Sequence, residues 1–158
     1  MKALVQRVIR GSVTIDGLKT AEIGPGFVVL LGVCHGDTAE DARHLADKTA
    51  NLRIFADASD KMNLSLLQTG RQALVISQFT LYADTARGNR PSFVGAAPPE
   101  LAEKLYDLYT EHLRTIMGST RVATGVFRAS MTVEIINDGP VTIELSTDQR
   151  PGPIGVQT

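Results

Sequence analysis

The sequence predicts a single α/β domain in which sheets are covered on one side by two main helices. Three observations lead there. Two stretches, about 38–51 and 98–118, repeat apolar residues at helical spacing. Most other ordered stretches are short, apolar and rich in β-branched residues. The chain has 158 residues, enough for one domain with a real core and little room for two.

In chain order, residues 3–8 and 12–15 read as strands joined by a turn at Arg10-Gly11. Gly24-Pro25-Gly26 then breaks the chain before the buried run 27–33. This glycine-rich break lacks the lysine and following helix of a phosphate loop, so it reads as a plain turn. Asp37-Thr38-Ala39-Glu40 has the spacing of a helix N-cap and its capping partner. Ala42, Leu45, Ala46, Thr49 and Leu52 form the apolar face of the helix that follows.

Met62-Asn63-Leu64-Ser65 and the run 72–81, β-rich and apolar up to Ser77, come next. Pro98-Pro99-Glu100 suits a first helical turn, where a missing N–H costs nothing. Leu101, Leu105, Leu108, His112 or Leu113, and Ile116 then line one face, and Gly118 supplies the stop. Segments 121–126, 131–136 and 141–145 read as closing strands, the last two joined by a turn at Asn137-Asp138-Gly139-Pro140. The domain is placed at 1–146, with 147–158 as a loose C-terminal tail.

At 43% apolar and 21% charged, the composition is that of an ordinary globular protein. Its longest apolar run falls far below the ~20 residues that span a bilayer, and the N-terminus lacks a signal-peptide pattern. A cytoplasmic location without membrane partners is expected. The single cysteine, Cys34, excludes an intramolecular disulfide and a thiolate zinc cluster, and ends an apolar run as a packed residue. His35, His44 and His112 show no metal-ligand spacing, and no cofactor is expected. The formal net charge of −1 argues against a protein that grips a long stretch of RNA backbone. A tRNA substrate would have to be held mainly by its end.

Two segments carry candidate chemistry. In Ser77-Gln78-Phe79-Thr80-Leu81-Tyr82-Ala83-Asp84, an apolar strand runs into two hydroxyls, an amide and an aromatic ring. Polar groups at the end of a buried strand are held rigidly, which suits positioning a carbonyl or an attacking water. Plain alternation, with Ser77, Phe79 and Leu81 on one face, explains the same pattern. Neither Ser77 nor Thr80 lies in Gly-x-Ser-x-Gly, and no histidine belongs to a partner motif. Any hydrolysis therefore has to work without a conventional side-chain base. The second segment is Asn137-Asp138-Gly139-Pro140-Val141-Thr142, read as a hairpin tip. An X–Pro bond there can also be cis, turning two backbone carbonyls the same way.

Together these two segments resemble the two signature motifs of the D-aminoacyl-tRNA deacylase family. The likeness extends through Ser12-Val13-Thr14, Leu30-Leu31-Gly32-Val33, Asn51-Leu52-Arg53-Ile54-Phe55, Arg90-Pro91-Ser92-Phe93 and Ala96-Ala97-Pro98-Pro99, covering about residues 1–145. The resemblance implies a homodimer of a layered β/β/α fold with mixed sheets and the site at the dimer interface. It implies hydrolysis of the ester joining a D-amino acid, or glycine mischarged on tRNA-Ala, to the CCA end of tRNA, as proofreading in translation. Ser77, Gln78, Phe79 and Thr80 would hold the ester and terminal adenosine, whose 2′-hydroxyl assists the reaction. Gly139-Pro140 would be cis and enter the partner's site, rejecting L-amino acids. Phe127, Met131 and Ala97 would contact the substrate, and Arg7, Arg87 and Arg90 are candidates for phosphate contacts.

One stretch departs from the pattern. The family run Gly-x-Phe-Gly-Ala, an acidic or polar residue and Met appears here as Gly125-Val126-Phe127-Arg128-Ala129-Ser130-Met131, with Arg128 in place of a small residue. Two other readings stay open on the residues alone. One is an acyl-transfer hydrolase with Thr80 or Ser77 as nucleophile; the other is a non-catalytic RNA-end-binding module.

Overall fold

The computed structural model describes residues 1–147. Its backbone is organised by one long strand, β1 (Lys2–Ile15), which pairs antiparallel with three others. It meets β3 (Gly26–Gly32) along Lys2 to Val8, β2 (Leu18–Ile23) along Gly11 to Ile15, and the C-terminal strand along most of its length. Next to β3 lies β6 (Gln72–Ser77), and next to β6 lies β7 (Val122–Thr124), both parallel. Parallel neighbours need long crossovers. The first contains α1 (Ala39–Asn51), the small ribbon of β4 (Phe55–Ala56) and β5 (Met62–Leu64), and α2 (Leu66–Thr69). The second contains α3 (Pro99–Met117). The closing strand is β8 (Thr132–Ser146).

Alternation along β3 and β6 divides the core between two faces. Phe27, Val29, Leu31, Ala73 and Val75 pack with Ala42, Leu45 and Ala46 of α1 and with Leu105, Tyr109 and Leu113 of α3. Val28, Leu74 and Ile76 point the other way, onto Val8, Val13, Ile23, Met131 and Val133. The expected β/β/α layering and the α/β class are therefore present. No helix among the described residues is long and apolar enough to cross a membrane.

Several expectations are corrected. Arg10-Gly11 is not a turn, because β1 continues through it. A Cβ at Gly11 would meet Val28 Cγ2 at 2.5 Å, so the glycine marks a close approach between packed strands. Likewise, Asn137-Asp138-Gly139-Pro140 is not a hairpin tip but the middle of β8. There the register with β1 jumps from Gln6–Thr142 to Val8–Asn137, and residues 138–141 bulge opposite Arg7. The turn residues were read correctly as an interruption and wrongly as a reversal. The run from Gln72 is a strand to Ser77, where its apolar character was expected to end, but a 3₁₀ turn (Phe79–Tyr82) follows and removes the simple alternation expected through Leu81.

The capping box of α1 sits one residue later than expected. Thr38 and Asp41 exchange the bonds, while Asp37 accepts from the Met1 α-ammonium at 2.5 Å and from Cys34 N–H at 2.7 Å. The buried face of α3 is centred on Leu105, Tyr106, Tyr109 and Leu113, and Leu101, Leu108 and Ile116 are only partly covered. Two tyrosines are tolerated inside because each hydroxyl has a buried acceptor. Tyr109 donates to Thr49 Oγ1 (2.7 Å) and Tyr106 to the Val75 carbonyl (2.9 Å). Helix α2 went unread, although Ser65 and Gln68 form a capping box visible in the sequence. Of the segment expected to form a loose tail, Thr147 is buried against Met1, and 148–158 lie outside the described residues.

Candidate active site

The site is built where β6 ends. Residues 73–76 are fully buried, so the strand's end is fixed by packing on both faces. Gln78 N–H donates to Leu31 O at 2.8 Å, anchoring the chain beside β3 as the 3₁₀ turn begins. Leu81 N–H and Ala83 N–H then close on the Gln78 and Thr80 carbonyls. Gln78 Nε2 donates to Thr80 Oγ1, tying the amide to the hydroxyl. Phe79 stands out from the turn, 56% exposed, with its ring edge-on to Phe93 at 5.0 Å.

Opposite this turn, the segment after β7 forms the second wall. Ala129 N–H bonds Val126 O (3.2 Å), making a tight turn with Phe127 and Arg128 at its centre. Arg128 has φ 62°, the left-handed region that favours glycine. An arginine there costs on the order of 1 kcal/mol of backbone strain. Phe127 packs on Tyr106 with ring centroids 5.9 Å apart.

Between the walls lies a cavity of about 580 Å³. Ser77, Gln78, Phe79, Ala97, Phe127 and Met131 all line it, together with Leu31, Val33, Ile76, Phe93, Tyr106, Arg128 and Val133. Six of the residues singled out in the sequence thus meet around one space. Thr80 is exposed just outside the lining, within reach through Gln78. Tyr106 is not among the residues that the sequence singles out; a tyrosine between a leucine and an aspartate gives no periodic signal of its own.

The lining is mostly apolar. Among the described residues it contains no carboxylate, imidazole, thiol or amine, and its one charged side chain is Arg128. Tyr106 is no base either. Burial, and then the nearby Asp107 charge, push its phenol up to about 12. Cys34, half-buried rather than packed in the core, bridges to Ala96, and desolvation raises its thiol above the usual range. The histidines lie elsewhere: His112 on α3 bonds Asp47 at 2.9 Å. Among the described residues, no cluster of three potential metal ligands occurs.

Gly139 and Pro140 are not part of this cavity. Their peptide bond is cis, and both residues are exposed on the β8 bulge. Arg7 holds the bulge from behind. Its Nε donates to Asp138 O (3.1 Å) and lies 3.2 Å from Asp138 Oδ2, while its Nη1 donates to Ile54 O (2.6 Å). With its side chain 13% exposed, Arg7 is committed to the fold, whereas Arg87 and Arg90 are exposed on the loop after the 3₁₀ turn.

The family model described as D-Tyr-tRNA(Tyr) deacylase matches residues 4–146. A D-aminoacyl-tRNA deacylase of Dehalococcoides mccartyi is 56% identical over 153 residues, covering 97% of this chain and 99% of the relative. A solved structure named as a c-Myc DNA unwinding element binding protein aligns with a TM-score of 0.89 at 44% identity, covering 93% of this chain and 99% of its own. Another, described as a probable eukaryotic D-amino acid tRNA deacylase, shares the fold at a TM-score of 0.77 with 17% identity, covering 91% and 97%. With the family model spanning nearly all of the described residues, the chain belongs to the D-Tyr-tRNA(Tyr) deacylase family.

Proposed function

We propose that this chain is a D-aminoacyl-tRNA deacylase that works without a protein base or nucleophile in its pocket. Membership of the family supports the reaction: water splits the ester between the amino acid and the terminal ribose, releasing free D-amino acid and tRNA. One observation carries the mechanism, namely that among the described residues the cavity lining holds no carboxylate, imidazole, thiol or amine. The group that assists must then come with the substrate, and the neighbouring 2′-hydroxyl of the terminal adenosine is placed to do so in any aminoacyl-tRNA.

In this reading the protein contributes position. Ser77 and Gln78 hold the ester at the end of a rigid strand, Thr80 orients Gln78, and Phe79 offers a face to the adenosine. Phe127, Met131 and Ala97 shape the apolar wall. The Gly139-Pro140 bulge of a second copy presents backbone carbonyls where an L side chain would project. Such discrimination by clash requires a rigid element. Glycine, lacking a side chain, would pass the same filter, so glycyl-tRNA mischarged on tRNA-Ala is a further substrate. The enzyme acts as a homodimer, in the cytoplasm, and reads only the CCA end, which suits its net charge of −1.

The test compares Thr80→Ala on normal substrate with unmodified enzyme on tRNA ending in 2′-deoxyadenosine. Removing a nucleophile or general base costs about 10²–10⁴-fold or more. Thr80→Ala is expected to stay within about tenfold of the parent, below that range, and the deoxy substrate to be inert. The reverse pattern would make Thr80 the nucleophile.

A further inference from the structure

Arg128 combines three features that packing does not explain. Its backbone occupies the left-handed region at φ 62°, in a turn position that favours glycine. Its side chain is exposed and makes no ion pair or hydrogen bond among the described residues. Among the described residues it is also the single charge on the lining of a mostly apolar cavity. Strained backbone that carries an unpartnered cation to the mouth of a pocket points to use by a ligand.

The ligand chemistry follows from the guanidinium. Its planar fork binds phosphate oxygens in pairs. The whole chain is slightly negative, so attraction for a polyanion has to come from local placement. Arg128 follows directly on Phe127 in the lining, and its side chain is exposed to solvent. An exposed guanidinium beside the cavity fits the backbone phosphodiesters of an incoming tRNA end, whose oxygens its fork can bind in pairs. We propose that Arg128 binds a phosphodiester of the tRNA 3′ end, contributing affinity without touching the reacting atoms. The inference rests on the deacylase reading above.

The experiment measures kcat and KM on D-tyrosyl-tRNA across a potassium chloride series. It compares the parent with Arg128→Gly and Arg128→Lys, and with Arg43→Gln as an exposed-charge control on α1. Arg128→Gly should raise KM about tenfold at low salt, with kcat within about twofold. It should flatten the slope of log KM against log salt by about 0.7, the share of one single-strand phosphate contact. Arg128→Lys should retain most of the slope, and Arg43→Gln should leave both parameters unchanged. Thermal melting separates binding from structure: glycine suits the turn, so Arg128→Gly should melt no lower than the parent.

Unchanged KM and slope in Arg128→Gly, with the parent active, would overturn the proposal and leave the deacylase reading intact. A loss seen with D-aspartyl-tRNA and not D-tyrosyl-tRNA would assign Arg128 to the acyl group and overturn it equally. If the parent hydrolyses neither substrate, the deacylase reading fails. Filter binding of uncharged tRNA then decides the phosphate contact by the same shift in affinity and salt slope.

Discussion

Tyr106 illustrates what single residues contribute. Its ring lines the cavity and its hydroxyl bonds the carbonyl of Val75, on the strand that ends in Ser77. Tyr106→Phe would remove one of the two bonds to that carbonyl, which also accepts from Gly125 N–H at 2.9 Å, at a cost of about 0.5–1.5 kcal/mol in urea unfolding. Because the phenol is raised to about 12 from an ordinary 10, the folded state holds this proton more tightly than the unfolded state. Its contribution is complete below pH 10 and is lost as pH rises through about 12. Melting temperature should therefore fall across that interval, and fall less steeply in Tyr106→Phe; equal slopes would contradict this. At this scale the sequence was legible where chemistry is local, as in Ser77 to Phe79 and in Phe127. It hid Tyr106, whose role depends on which helix face meets the sheet. It showed Arg128 as a departure from the family pattern, while the left-handed backbone came only with the structure.

Elements were read best where periodicity is strong and worst where glycine was taken as punctuation. The helices α1 and α3 and the buried strand β3 lie close to where spacing placed them. Gly11 and the Asn137 to Pro140 segment sit inside long strands instead, because glycine also marks crowding and bulges. Gly26 shows the same physics at the parallel pair that carries the site. It faces Gln72 in the register between β3 and β6, and an added Cβ would fall on the Gln72 carbonyl oxygen. Backbone cannot step aside as a side chain can. Gly26→Ala should lose about 3 kcal/mol or more, a large share of a stability of ~5–15 kcal/mol. At Gly24 the added atom would meet Gln72 Oε1 at an ordinary 3.6 Å, so Gly24→Ala should cost less than about 1 kcal/mol. Urea midpoints of the two variants check the contrast, and similar values would show that the pairing tolerates separation.

At the scale of the whole molecule, Gly139 and Pro140 are exposed and are not among the described residues that line the cavity, so a single copy does not build them into it. Exposed apolar side chains at Ile9 and Ile136, on the paired strands near the bulge, leave surface suited to a second copy. Sedimentation at assay concentrations should give twice the chain mass with activity confined to that species; an active monomer would contradict the cross-subunit filter. Strand-rich faces left uncovered suggest self-association, but spacing along one chain cannot reveal contacts between two, which is why the homodimer with a shared site entered through the family resemblance. The central claim, chiral hydrolysis by this fold, is tested most directly by incubating purified protein with matched D- and L-tyrosyl-tRNA and following ester loss. Rapid loss of the D-ester with the L-ester largely spared is the expected result, and equal rates for the two would contradict the account.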